Sequence, residues 1–306
     1  MRLDAHVHTH YSGMASVWPA TLFMRESYNT PERVYALAKA RGMDLVAITD
    51  HDAIEGALQL AHHPDVIVGC EISANFPGTN IDAHIGVLDI TPAHFEQIQR
   101  LRGDIAQLLP YLRQERIFST LHHVASQVNG RLTPTHIAAI LPWVDALEVI
   151  NGSRLRRQND TALRLAAAAG KGHTGGGDSH TGRGIGRTWT VVDGARSREE
   201  FLTGLRAGHG RAEGGHGSVF TMASDVLRFT GRFYQENTVR RLPAGAPTGH
   251  PAAVTTAMIL GLPLLGVSLV GTVGHFVAEV LHNRALLSKL VATPLLQPDH
   301  HAVELA

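Results

Sequence analysis

Between residues 2 and 208, short apolar runs alternate with segments that begin as helices begin, and few folds accept that order. Strand-like runs cover residues 2–8, 44–49, 66–73, 83–90, 117–122, 146–151 and 188–192. Thr30-Pro31, Thr91-Pro92 and Thr133-Pro134 each join a capping hydroxyl to a proline at the first helical position. The segment after Pro92 reads as a single helix toward Arg113, and 160–169 as another. Ser197 and Glu200 have the spacing of a capping box for a last helix ending near Gly208. Such alternation predicts parallel β/α units. Seven units in this length suit a barrel better than an open dinucleotide-binding sheet. Gly175-Gly176-Gly177 is not GxGxxG and does not follow the first strand, so a Rossmann reading is weak.

The ends of these runs carry the chemistry. His6 and His8 close the first, Asp50, His51 and Asp52 the second, and Glu71 the third. His84 lies within the fourth, His122 and His123 follow the fifth, and Glu148 and Asn151 lie in the sixth. Asp178 and His180 come after the glycine run. Each residue alone has a plain explanation, as a cap or a surface histidine. Together they place nitrogen and oxygen donors at strand ends that a barrel brings to one face. Nitrogen and oxygen ligands suit zinc, manganese or iron.

Composition narrows the alternatives. Lys+Arg and Asp+Glu both number 27, which argues against a sequence-independent nucleic-acid coat. Cys70 is the single cysteine, so neither a disulfide framework nor a cysteine-ligated zinc site can form within the chain. The first residues lack the apolar stretch of a secretory signal, and a cytoplasmic location is expected.

The ordered series HVH, TDHD, CEIS, AHIGVL, LHH and GDSH resembles the PHP (polymerase and histidinol phosphatase) family across residues 1–215. Residues 26–58 are similar to a bacterial subgroup labelled with glycosyltransferases, although no nucleotide-sugar motif is visible. The resemblance implies an α/β fold, a distorted seven-stranded (β/α) barrel, with two or three divalent transition-metal ions. It implies a hydrolase acting on phosphomonoesters or phosphodiesters, in which water activated by the ions attacks phosphorus. His6, His8, Glu71 and Asp178 would hold the first ion, and Glu71, His84 and His123 the second. His123, not His122, matches the family position. His51 and His180 match two ligands of a third ion, but Gly13 and Met14 stand where members carry Asp or His. His10 is the available substitute, and two ions are expected rather than three. Asp178, His180 and Arg183 are the expected catalytic residues, with Arg187 a second candidate for binding phosphate. Asp4, Asp50 and Asn151 are expected to orient ligand imidazoles, and Tyr11 and Tyr28 to line the mouth.

The expected substrate is a small phosphorylated molecule, with a nucleotide or short oligonucleotide within the same chemistry. A mouth with few basic residues would favour the smaller. Two other readings stay open: an amidohydrolase-like metal hydrolase acting on a lactone, amide or phosphotriester, and a metal-bearing regulatory module anchored by its C-terminal part. That part, 216–306, is read as a helical extension with a boundary between Gly208 and Val219. Its stretch 252–278 has no Asp, Glu, Lys or Arg before Glu279 and is long enough to span a bilayer. The alternative is a pair of helices packed on the barrel or on another subunit, so membrane association at the cytoplasmic face and oligomerisation are both open.

Overall fold

The computed structural model describes residues 1–15, 20–127, 131–238 and 249–296, apart from the side chains of 260–269. The strands are β1 (Arg2–Asp4), β2 (Leu45–Ile48), β3 (Val66–Asn75), β4 (Asp82–Leu88), β5 (Phe118–Leu121), β6 (Ala146–Asn151), β7 (Gly172–Gly176), β8 (Thr188–Val191) and β9 (Arg211–Gly214). They form one sheet in the order β7-β6-β5-β4-β3-β2-β1-β8-β9, curled into a nearly closed barrel. Near the seam, the Gly175 amide donates to Thr190 Oγ1 at 2.9 Å, and Val7 bridges Ser179.

The strand count is nine, not seven, because β7 and β9 are too rich in glycine and polar residues to read as strands. The units are also not all parallel. β4 runs antiparallel to both β3 and β5. Its link to β3 is a tight turn in which the Phe76 amide meets Ile81 O at 3.0 Å, far short of the dozen residues a parallel crossover needs.

Helix α1 (Pro31–Ala40) starts where Thr30 accepts the Arg33 amide, and the short α2 is Glu55–Gln59. The single helix expected after Pro92 is two, α3 (Pro92–Leu101) and α4 (Ile105–Gln114), because Asp104 caps a new start by accepting the Ala106 amide. Then come α5 (Pro134–Ile140), α6 (Arg156–Ala168) and α7 (Arg198–Arg206). Ser197 accepts the Glu200 amide as expected, while the Glu200 carboxylate takes the Arg196 amide instead of closing the box.

Alternation along each strand separates two cores. Leu45 and Ala47 of β2 join Leu3, Ile67, Phe118 and Ala146 in a cluster with Phe201, Leu202 and Leu205 of α7. These strand residues lie toward the amino ends of their parallel strands, so α7 closes that end of the barrel. Val46 and Ile48 face the other way, onto Val34 and Ala38 of α1. The opposite end, where the parallel strands finish, is left for the polar residues.

Beyond β9 lie α8 (Val219–Thr238) and α9 (Pro251–Val291). The apolar stretch 252–278 belongs to α9, and part of it lies outside the described side chains. Among the described residues no helix is long and apolar enough to cross a membrane. The second half of α9 packs on the barrel instead. Leu286 and Leu290 enter the core cluster of α3, α4 and α6, and Thr161 Oγ1 donates to Asn283 Oδ1 at 3.0 Å. Buried Glu279 accepts from Ser126 Oγ at 2.9 Å, Gln158 Nε2 at 2.5 Å and the Gln127 amide at 3.3 Å. The membrane expectation is therefore unsupported, and the packed reading describes residues 279–290.

Candidate metal centre

Glu71 is fully buried on β3, and six imidazoles face its two oxygens. His6 Nε2, His8 Nε2 and His51 Nδ1 lie 3.2, 3.4 and 3.2 Å from Oε2. His84 Nδ1, His122 Nδ1 and His123 Nε2 lie 3.1, 2.9 and 3.1 Å from Oε1. Asp178 faces the same centre. Its Oδ1 is 3.7 Å from His6 Nε2, 3.6 Å from His8 Nε2 and 3.4 Å from His180 Nδ1.

The local structure explains these directions. β1 ends at Asp4, so residues 6–8 leave the pleat and both histidines can turn toward one point. His51 forms an isolated bridge with Glu71, which draws TDHD alongside β3. Asp52, His123 and Asp178 all have positive φ, of 49°, 25° and 46°. For residues other than glycine this costs about 1–3 kcal/mol each, and such strain gathers at functional sites. The glycine run is steric. A Cβ on Gly176 would stand 2.4 Å from His6 Cβ and 2.7 Å from its amide nitrogen.

A surrounding layer fixes the rings. His6 Nδ1 donates to Glu148 Oε1 at 2.9 Å, which leaves Nε2 as the lone pair facing Glu71. Glu148 Oε2 also accepts the His123 amide and Asn151 Nδ2. His8 Nδ1 donates to Ser12 Oγ at 3.1 Å, and Ser12 donates to Asp50 Oδ1 at 2.7 Å. Asp50 thus orients an imidazole, as expected, but through Ser12. Asn151 and Asp4 do something else. Asn151 bridges the carboxylates of Glu148 and Asp178, while Asp4 accepts the Gly177 and Gly186 amides at 2.7 Å and organises the GDSH backbone.

Charge states follow from the surroundings. Burial alone would raise the pKa of Glu71, but the facing histidines hold it well below the carboxylate range. Asp178 shows the same balance, with Arg154 as the main counterweight to burial. Burial lowers His51 to about 3 and His123 to about 4, so both are neutral donors near neutral pH. His6 is raised, because Glu71 and Glu148 outweigh its burial.

These residues fit a cation. Among the described residues, His6 Nε2, His8 Nε2 and Glu71 Oε2 are buried with no hydrogen-bond partner. Unsatisfied donor and acceptor atoms converging at this density are costly unless a shared positive ion satisfies them. Ligand atoms within reach of one another form the groups His6–Glu71–His122–His123, His6–His8–Asp178, His51–Glu71–His84 and His8–His51–His180.

All eight expected metal ligands converge, but other expectations shift. His122 joins the cluster, stacked on His6 with centroids 3.9 Å apart. His10 does not, because its Nδ1 faces Asn29 O at 3.1 Å. Glu26 lies 3.6 Å from His180 Nε2 instead and lines the cleft of about 290 Å³ over the centre. Nothing in the sequence marked Glu26, which comes from a loop distant in the chain. Arg183 and Arg187 do not line this cleft. Arg154 does, and its Nη2 donates to Asp178 Oδ2 at 2.9 Å. Its place three residues after Asn151, at a strand end, is the signal that sequence reasoning passed over. Tyr28 lines a neighbouring cavity, and Tyr11 packs on His10 and bonds Gln59.

Residues 156–209, from α6 through the GDSH loop to α7, match the family described as PHP-associated. That match covers about a sixth of the chain. In structure, the chain is similar to a two-domain protein of Bacteroides vulgatus described as containing a predicted PHP-like metal-dependent phosphoesterase. The TM-score is 0.52 at 19% identity, over 76% of this chain and 69% of that one. It is also similar to PsfC of Pseudomonas syringae, with a TM-score of 0.50 at 17% identity over 76% and 98% of the two chains. An uncharacterised protein of Methanocaldococcus jannaschii is 36% identical over 77 residues, 24% of this chain. The chain spans 44% of the length of that curated relative.

Proposed function

We propose that this chain hydrolyses the phosphate ester of a small molecule, with a monoester preferred to a diester. The coarser part of this reading, a metal-dependent hydrolase, is supported by the match of residues 156–209 to the PHP-associated family and by the donor set. The observation that carries the rest is Glu71, one buried carboxylate with three imidazoles facing each oxygen.

In this proposal His6, His8, Glu71 and Asp178 hold one divalent ion, and Glu71, His84 and His123 a second. His51 and His180, with Glu26 beside His180, are the donors for a third. When bound, such ions acidify water and neutralise charge on phosphoryl oxygens. The chain's own groups do the remainder. Glu148 and the Ser12–Asp50 pair keep His6 and His8 in the tautomer that presents Nε2. Arg154 keeps Asp178 ionised, and because it lines the cleft its guanidinium would face a phosphoryl oxygen there. His180 borders the cleft and both adjoining cavities, which supports contact with the substrate and proton transfer to the leaving oxygen. A dianionic monoester gains most from this concentration of positive charge.

The test is turnover by manganese- or zinc-loaded protein of p-nitrophenyl phosphate, bis(p-nitrophenyl) phosphate and a lactone. Hydrolysis of the monoester, abolished by chelator, is the expected result. Turnover of the lactone alone would replace this reading with the amidohydrolase-like one. No lysine lines the cleft to serve the carbamate that such enzymes usually carry.

A further inference from the structure

Beside the metal cleft lies a second cavity, of about 610 Å³, which shares His180 with it. Six arginines line this cavity: Arg33, Arg41, Arg183, Arg187, Arg228 and Arg232. Among the described residues no Asp or Glu lines it. The metal cleft itself is lined, among the described residues, by one arginine, Arg154, so the basic residues gather beside the cleft and not in it. The cavity arginines come from three separate parts of the chain. Arg33 and Arg41 belong to α1 and its C-cap, and Arg183 and Arg187 follow GDSH. Arg228 and Arg232, one turn apart on α8, come from the C-terminal extension. The wall is therefore built by tertiary structure and is not a basic run of sequence.

Like charges so gathered repel, and the arrangement costs stability until an anion enters. Burial, and then the charge of Arg187, lowers the pKa of Arg41, so the guanidiniums feel one another. Arg41 is held by the carbonyls of Arg183 and Ile185, which ties α1 to the GDSH loop. Asp225 is within electrostatic reach of Arg183 and Arg228 but accepts from Thr181 Oγ1 at 2.8 Å and lines a different cavity.

We propose that this cavity is a second anion subsite, which receives a phosphate group of the substrate other than the one being cleaved. It rests on the hydrolase reading above and narrows it to small molecules carrying at least two phosphates. Guanidinium forks bind phosphate oxygens through paired hydrogen bonds, and their number suits a group of two or more negative charges. A molecule that reaches past His180 has one phosphate over the metal centre and the other among the arginines. The cavity's limited volume and the chain's zero net charge favour a small anion over a polynucleotide.

The experiment uses the metal-loaded full chain and inorganic pyrophosphate, with binding followed by calorimetry at about 0.15 M salt, where surface charge is largely screened. Arg228→Ala with Arg232→Ala should weaken binding about tenfold or more, with metal content and melting temperature unchanged. Arg228→Lys with Arg232→Lys should recover only part of it, because lysine lacks the fork. Arg100→Ala, at an exposed arginine paired with Glu96 elsewhere, is the control for net charge. Unchanged affinity in the α8 variant, or equal weakening by Arg100→Ala, overturns the subsite. A second readout compares kcat/KM for fructose 1,6-bisphosphate and fructose 6-phosphate. A preference for the bisphosphate that the α8 variant removes supports the proposal. Tight, arginine-dependent pyrophosphate binding without turnover of any phosphate ester sinks the hydrolase reading and leaves the anion site standing.

Discussion

His122 Nδ1 lies 2.9 Å from Glu71 Oε1, beneath the cleft that His123 lines. Its ring stacks on His6, and its Nε2 edge fills the space over Gly86, where a Cβ would stand 2.0 Å away. The resemblance to the PHP family singles out His123, yet both histidines reach the carboxylate. His122 reads as a positioning residue that donates from Nδ1 to Glu71. His122→Ala should lower metal occupancy and cut kcat about tenfold to a hundredfold. His122→Asn carries an amide nitrogen where Nδ1 was and should recover much of the metal content. A His122→Ala protein with full metal content and rate would reduce the residue to packing.

Glu71→Gln keeps the shape and removes the charge that six imidazoles face. We expect bound metal, measured by elemental analysis after gel filtration, to fall from about two ions per chain or more to below one. Activity should fall about a hundredfold or more. Full metal stoichiometry in this variant would show that Glu71 is not shared between ions.

Glu148 acts on the centre through His6 and through the His123 amide. Glu148→Gln can turn an amide NH₂ toward His6 Nδ1 and so favour the wrong tautomer. Metal affinity, read by competition with a chromophoric chelator, should fall about tenfold to a hundredfold. Unchanged affinity would mean that ring stacking alone fixes His6.

Removing metal should destabilise the fold. Buried donors that no protein hydrogen bond satisfies lose their compensation, and binding to the native state alone stabilises in proportion to the logarithm of ligand excess. Calorimetry with chelator should show a melting temperature lower by several degrees, restored by adding zinc or manganese. An unchanged melting temperature would argue that no ion binds tightly at these donors.

Glu279 tests the C-terminal helix. Glu279→Ala removes the shared acceptor of three hydrogen bonds in the interface between α9 and the barrel. The loss should be about 3 kcal/mol in chemical denaturation. A loss below about 0.5 kcal/mol, the size of a surface substitution, would show that α9 docks weakly.

By itself the sequence determined the elements with strong local signals and the chemistry at their ends. Thr30, Thr91 and Thr133 cap helices because a hydroxyl before a proline is a local instruction. The β/α order brings strand ends together, so the donors could be placed on one face before any contact was known, while the grouping of His6, His8, Glu71 and Asp178 came from the resemblance to the PHP family. Strands β7 and β9 were hidden, since glycine and arginine carry no apolar pattern and are held by their neighbours in the sheet. Only the tertiary structure decided which groups meet through space. The chain turns sharply at His123, with φ of 25°, so two successive histidines reach one carboxylate that strand alternation would have divided. Glu26 and Arg154 enter from loops whose direction depends on barrel curvature. The six arginines are spread from residue 33 to residue 232 and become one cavity only because α8 folds back beside α1 and the GDSH loop. Caps and periodicity act over a few residues, whereas convergence of loops depends on the closed sheet that holds them.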